Sequence, residues 1–287
     1  MITHSRLAEI RLKLFGRKLA KRPKPPNQAE RLYLGAARVY ADDFRRIVGD
    51  AIKDTYPELL DPANRKDSRL DMRVGPLLLG KHASKVLAHI TNPLRAAADR
   101  VPLDQIAGTV RTHVEKDVQR YMPGLKNTDL FLGSEIAQWR RDNVALITNF
   151  TDDMLAKIGD LLEGYDGTRV EDTATALENT FGLTRARAEL IARDQTLKLN
   201  ASMNQQAQVN AGVDKYRWST SHDDSVRDDP KGKGDPNHKD LDNLTFSWDD
   251  PPVTCERTGD TNHPGQDYSC RCVAIPVLEE FDDPEED

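Results

Sequence analysis

Aromatic residues and cysteines are scarce in this chain of 287 residues, which has 6% aromatic residues and three cysteines. Hydrophobic residues make up 38% of the chain and charged residues 31%. Such a lean core favours long helices that contact partners over a dense globular enzyme. An odd number of cysteines fits a reducing compartment better than a disulfide-bonded secreted protein.

Long apolar runs are also missing, and the mean hydropathy is −0.66. No stretch approaches the roughly 20 apolar residues that a membrane-spanning helix requires. The N-terminus is basic, but it has neither the apolar segment nor the small-residue cleavage site of a signal peptide. We therefore expect no membrane partner.

Charge is distributed unevenly along the chain. The formal net charge of −6 argues against a dedicated nucleic-acid-binding protein, yet the first residues are basic and the last are acidic. One interpretation of the basic end is a solvated amphipathic arm; the other is contact with nucleic acid or an acidic partner. The candidate contact residues for the second interpretation are Arg11, Lys13, Arg17, Lys18, Lys21 and Arg22.

Composition divides the chain into five segments, and the predicted fold class is mainly α with a small C-terminal α+β module and an elongated helical N-terminal region. The segments are a basic arm with a Pro-rich linker (1–27), a helical region (28–142), a second helical part (143–212), a module containing cysteine and histidine (213–278) and an acidic tail (279–287).

Apolar residues at helical spacing predict the helices. The predicted spans are about 28–56, 76–98, 102–122, 134–164, 170–180 and 184–212, with a loop over 59–74. Gly182 is expected to end the fifth helix and Thr184 to cap the sixth. Asp194 and Asn200, with Arg193 and Gln195, are expected on an exposed face of that last helix; the alternative is that an Arg and an amide there brace the module that follows.

The last quarter of the chain, from Trp218 to Pro276, is rich in turn-forming and charged residues, which excludes a large apolar core. Three short hydrophobic patches are bounded by turn residues and predict strands. They are residues 216–218, 241–248 and 273–278.

This quarter contains residue types that bind zinc, namely His238, Cys255, His263, Cys270 and Cys272, with His222 upstream. A small, loop-rich module often needs a metal, since binding energy then becomes folding energy. Only one residue separates Cys270 from Cys272, so two thiolates on one ion would require a strained or extended loop. The alternative is a buried cysteine pair beside Arg271, and both interpretations stay open.

The same quarter contains residue types suited to acid–base chemistry on a phosphodiester, namely His222, Asp224, Arg227 and His238. Asp224 and Arg227 are three residues apart and are expected to pair with each other in a turn. No P-loop, nucleophile elbow or metal-hydrolase spacing is present in the sequence. We expect no catalytic residues, and a nuclease-like enzyme is the alternative.

From about Asn143 to Pro276 the order of residues resembles the C-terminal region of the head-morphogenesis, or minor head protein, family of tailed bacteriophages, which includes phage Mu protein F-like proteins. The resemblance rests on IARDQTLKLN, KYRWSTSHDDSVR and HPGQDYSCRCVAIP. The positions that match the family motifs are Trp218, Asp224, Arg227, His238, Pro264, Gly265, Asp267, Cys270, Arg271 and Cys272. One departure is the insertion DDPKGKGDPN between the arginine and the histidine.

This resemblance implies a minor head protein located in the virion, inside the head near the portal, and assembled in the host cytoplasm. Its implied partners are the portal protein, capsid or scaffold proteins and packaged DNA. The implied role is to assist head assembly, DNA packaging or genome delivery without catalysis. A free DNA-binding protein is a third interpretation, and its affinity would fall steeply with salt.

Overall fold

The computed structural model describes residues 22–56, 76–121, 133–165 and 170–277. Within them, helices precede a small β-containing module, which confirms the predicted class of mainly α with a small C-terminal α+β module. The helices are α1 (Asn27–Thr55), α2 (Pro76–Ala98), α3 (Leu103–Tyr121), α4 (Ser134–Glu163) and α5 (Val170–Asn210). The strands are β1 (Lys215–Ser219), β2 (Thr245–Ser247), β3 (Val253–Cys255), β4 (Asp260–Thr261) and β5 (Val273–Val277).

The first four helices begin and end within about two residues of their predicted bounds. The predicted loop over 59–74, most of the basic arm and the acidic tail lie outside the described residues. No helix in the described ranges is long and apolar enough to cross a membrane.

Helix α5 is one continuous helix, so the predicted break at Gly182 and Thr184 is wrong. Thr184 is buried, and its hydroxyl donates a hydrogen bond to the Thr180 carbonyl oxygen at 2.7 Å instead of capping a new helix. A single helical glycine costs only about 1 kcal/mol, less than the burial of Leu177 and Phe181 on the same helix contributes. Gly212, at φ 74°, follows the helix end as predicted.

The described residues group into two compact units, each built from separate stretches of sequence. The described residues of the first unit lie within Met1–Glu30, Asp104–Trp139 and Arg193–Asp287. Those of the second lie within Arg31–Leu103 and Arg140–Ala192.

The second unit has an aliphatic and aromatic core drawn from several helices. Phe44, Ile52 and Ile90 are fully buried in it. Two polar pairs link α1 to α4 inside this core: the Tyr33 hydroxyl donates to Asn143 Oδ1 at 3.0 Å, and the Tyr40 hydroxyl lies 2.8 Å from Thr151 Oγ1. The buried hydroxyls and amide therefore satisfy one another's hydrogen-bonding capacity.

The β-containing part of the first unit consists of two antiparallel sheets, one in the order β2-β1-β5 and the other pairing β3 with β4. In the larger sheet Trp218 faces Ala274 across the β1–β5 pair. Alternate side chains of β1 point inward, so Tyr216 and Trp218 both enter a small core. The core is completed by Trp248, Cys270, Cys272 and Ala274, with Leu241 and Phe246 at its edge.

Candidate metal centre

Cys270 and Cys272 lie on the same buried side of the chain just before β5. The two cysteines are only 3% and 6% exposed, while Arg271 between them is exposed. The Cys272 backbone N–H donates to the Cys270 sulfur at 3.4 Å. The CRC segment therefore brings both thiols to the same buried side, which resolves the spacing problem posed by the sequence.

The His238 imidazole is the third member of this cluster. Its Nδ1 lies 3.5 Å from the Cys270 sulfur and 3.6 Å from the Cys272 sulfur. Its other nitrogen, Nε2, lies 2.8 Å from Asp267 Oδ2, and the Trp218 ring packs edge-on against it at 5.4 Å between ring centroids. Because Nε2 faces a carboxylate it carries hydrogen, so Nδ1 is the nitrogen that faces the two sulfurs.

Electrostatics within the cluster favour a thiolate on Cys270. Hydrogen bonds from Cys272 and His238 outweigh burial and lower the pKa of Cys270 to about 5. Burial alone would lower the pKa of His238, but hydrogen bonds with Asp267 and Cys270 raise it to about 9. The neighbouring Cys270, together with burial, raises the pKa of Cys272 well above its usual range.

His238, Cys270 and Cys272 are the one group of three metal-binding side chains found among the described residues. The structure places the other two candidate ligands elsewhere. The Cys255 thiol lies 3.4 Å from the Gly234 carbonyl oxygen, and His263 Nδ1 lies 2.9 Å from the Tyr216 hydroxyl. The five predicted ligands therefore separate into a cluster of three and two residues with other partners.

Helix α5 braces the loop that carries the cysteines. Asp194 Oδ1 accepts a hydrogen bond from the Ser269 backbone N–H at 2.7 Å, and the Gln208 side-chain amide donates to the Ala274 carbonyl oxygen at 3.0 Å. Asp194 and Asn200 are each only 5% exposed, so the expected exposed face was wrong for both. The alternative named an Arg and an amide, whereas the residue that braces the module here is the carboxylate of Asp194.

Gly265 allows the loop to approach α5 closely. Its φ is +86°, and an added Cβ would lie 2.6 Å from the Ala201 Cβ. Pro264 beside it is buried as well. The Pro-Gly pair of the family motif therefore has a packing role at this helix.

The two arginines of the family motifs connect loops of the module. The Arg227 guanidinium donates to the Tyr268 carbonyl oxygen, and its own carbonyl oxygen accepts the His238 backbone N–H at 3.0 Å. Arg271 donates to Asp223 at 2.7 Å and also to Ser225. Asp224 is exposed, and the expected pairing of Asp224 with Arg227 was wrong, because Arg227 is directed at Tyr268.

The residues of the nuclease alternative are divided between two local networks. His222 is exposed and lies 3.1 Å from Asp242, whereas His238 is buried against Asp267 and the cysteines. Asp242, which also accepts the Thr220 backbone N–H at 2.8 Å, was not identified from the sequence. No spacing signal marks it, because it follows His222 by 20 residues.

Arg22 is the one member of the predicted basic contact set within the described residues. Its guanidinium donates to the Thr220 carbonyl oxygen at 2.7 Å, and its carbonyl oxygen accepts from Arg120 at 2.6 Å. The linker at 22–27, α5 and the cysteine loop together line a cavity of about 370 Å³ in the first unit. Arg11, Lys13, Arg17, Lys18 and Lys21 lie outside the described residues.

Comparison with known proteins finds a family match for this part of the chain. Residues 164–275 match the family described as Phage Mu protein F like protein. The resemblance seen in the residue order is thereby confirmed. The matched stretch, called here the Mu F-like region, contains the three clustered ligands together with Asp194 and Gln208.

One relative is an uncharacterised protein of Haemophilus influenzae (strain Rd), 28% identical over 193 residues. The aligned part covers 67% of this chain and 39% of the relative, so the chain spans about two fifths of that protein. No solved structure shows a significant match to this chain.

Proposed function

We propose that this protein is a minor head protein of a tailed phage that acts without catalysis. It binds the portal protein and the interior of the procapsid, contacts capsid or scaffold proteins and packaged DNA, and assists head assembly, DNA packaging or genome delivery. Its place is in the virion, inside the head near the portal.

The observation that carries this proposal is the extent of the Mu F-like region. The match begins just before α5 and ends within β5, so it includes both the helix and the module that Asp194 and Gln208 join to it. Because the match covers both the helix and the module that is hydrogen-bonded to it, the match supports the view that members of the family share the helix and the module as one folded unit. The role in head assembly is therefore assigned to this unit.

Tyr268 is the surface residue we assign to partner binding. Its side chain is 55% exposed although its neighbours Asp267 and Ser269 are held by His238 and Asp194. An exposed aromatic side chain on a loop held at both sides loses little conformational entropy on binding, which is typical of residues that dominate interfaces.

The test is co-purification of the full-length protein with the phage's own portal protein, measured by light scattering, together with mass spectrometry of purified heads. We expect a complex of defined stoichiometry and a few copies per head. Tyr268→Ala should weaken the complex without changing stability, whereas Val253→Ala, at another exposed apolar residue of the module, should leave it unchanged.

A monodisperse monomer that is absent from heads would refute the proposal. DNA cleavage by the purified protein that is lost in His222→Ala would replace it with the nuclease alternative.

A further inference from the structure

We propose that His238, Cys270 and Cys272 bind one Zn²⁺ ion through the imidazole Nδ1 and two thiolate sulfurs. The proposal concerns the folded module itself and does not depend on the head-assembly role. It assigns the cluster as a metal site and places Cys255 and His263 outside it.

The distances within the cluster match those of a zinc site. Zinc binds sulfur at about 2.3 Å and imidazole nitrogen at about 2.0–2.1 Å in tetrahedral geometry, which puts the nitrogen and sulfur ligands about 3.5 Å from each other. The two nitrogen–sulfur distances are 3.5 and 3.6 Å. All three ligand atoms lie within 4.8 Å of one another. The imidazole nitrogen therefore already lies at the distance of a zinc site from both sulfurs.

The surroundings of His238 are those of a metal-binding imidazole. Histidines that bind a metal through one nitrogen usually donate the other N–H to a carboxylate, which fixes the ring and its tautomer. Asp267 fills this position at 2.8 Å from Nε2. Asp267 is itself held, since its Oδ1 accepts a hydrogen bond from Asn262 at 2.9 Å.

The arrangement suits a metal better than a nucleophile. A catalytic cysteine needs one thiolate, one base and access for its substrate, whereas here two sulfurs approach the same nitrogen and all three residues are at most 6% exposed. The apolar core of the module is small, and a bound metal adds its binding energy to the stability of such a core.

The described residues supply three ligands, and we assign the fourth tetrahedral position to a water molecule. Both cysteines line the cavity beside α5, which has room for it. A site of three protein ligands and one exchangeable position is a known zinc arrangement.

The first experiment is elemental analysis of the full-length protein, purified under reducing conditions, incubated with zinc and dialysed. We expect one zinc per chain. Replacement by Co²⁺ should give a thiolate-to-metal charge-transfer band with the intensity of two sulfur ligands. Amide hydrogen exchange in residues 263–273 should slow when zinc is added to the metal-free protein.

Matched variants separate the assigned ligands from the other cysteine. Cys270→Ser and Cys272→Ser should each lose the metal, whereas Cys255→Ser, which removes an equally buried thiol outside the cluster, should retain it. Asp267→Ala should weaken zinc affinity by roughly 10- to 100-fold, as expected for loss of the carboxylate behind a histidine ligand.

The wild-type measurements decide the proposal even where a variant fails to fold. Absence of zinc after incubation and dialysis would overturn it. A disulfide bond between Cys270 and Cys272 under the same conditions, with no metal bound, would overturn it as well. Mass spectrometry would detect this bond as a chain lighter by two hydrogens. Equal metal loss in Cys255→Ser and Cys270→Ser would show that the ligands are wrongly assigned.

Discussion

The carboxylate of Asp194 accepts the backbone N–H of Ser269 at 2.7 Å, although the two residues are 75 positions apart. Ser269 has a positive φ of 51°, which is unusual for a residue with a side chain. The hydrogen bond holds the loop in this conformation one residue before Cys270. A residue on α5 therefore positions the first cysteine of the cluster.

Asp194→Ala should reduce the free energy of unfolding by about 1–3 kcal/mol, because the part-buried Ser269 N–H loses its partner. Equilibrium urea unfolding measures this loss. Asp194 also pairs with Lys198 at 2.9 Å, so Lys198→Met is the matched control. The Lys198 side chain is 37% exposed, so solvent screening limits this ion pair to about 1 kcal/mol. Equal losses in the two variants would contradict the role of the Ser269 hydrogen bond.

Gly265→Ala should destabilise the protein by roughly 2 kcal/mol or more, because it adds a close contact to a strained backbone angle. The added methyl group would lie 2.6 Å from Ala201 Cβ. Gly259→Ala is a close control, since Gly259 has a φ of +73° but no atom within 4 Å of the place where its Cβ would lie. Thermal unfolding compares the two. A loss in Gly265→Ala no larger than in Gly259→Ala would show that packing against α5 contributes nothing.

Gly182→Ala should raise the free energy of unfolding by about 0.5–1 kcal/mol, because Gly182 lies inside α5 with open space around it. Gly212→Ala should lower it, since Gly212 adopts a φ of +74° at the helix end. Urea unfolding of both variants tests the continuity of α5. Destabilisation by Gly182→Ala would indicate that the helix breaks there after all.

Asp43 should make a stabilising contribution that depends on pH. Hydrogen bonds from Arg46 and Arg100 lower the pKa of this carboxyl. Its contribution is therefore complete above the unfolded-state pKa of about 3.9 and is lost as the pH falls through the lower folded-state value. Solvent screening limits it to about 1 kcal/mol.

The measurement for Asp43 is the stability difference between the wild type and Asp43→Asn from pH 7 to pH 2. We expect this difference to shrink toward low pH and to be smaller at high salt. A difference that grows as the pH falls would contradict the assigned ion pairs.

Helix positions were predictable from the sequence because they depend on local periodicity. The stripes of apolar residues along α1 to α4 predicted their bounds closely, and Gly212 marked the end of α5. The prediction failed at Gly182 and Thr184, where a local breaker and a local cap pointed to an interruption. Burial of Leu177, Phe181 and Ala188 along one continuous helix outweighed both signals.

Strands were predicted less completely. β1, β2 and β5 lie in the predicted aromatic and β-branched patches, but β3 and β4 are three and two residues long and have no pattern that distinguishes them from turns. Their pairing depends on partners in the folded module.

The residue types of the candidate site were identifiable in the sequence, whereas their grouping was not. His238, Cys255, His263, Cys270 and Cys272 were indistinguishable as ligands on sequence grounds. Folding brings three of them together and leaves Cys255 beside Gly234 and His263 beside Tyr216.

The sequence by itself determined the helical architecture, the terminal module and the family resemblance, since these depend on neighbouring residues and on residue order. Only the tertiary structure decided which candidate metal ligands lie together, that Asp267 orients His238, and that Asp194 holds the cysteine loop. These contacts join residues 29 to 75 positions apart. Their formation depends on the path of the intervening chain, and no local pattern encodes that path.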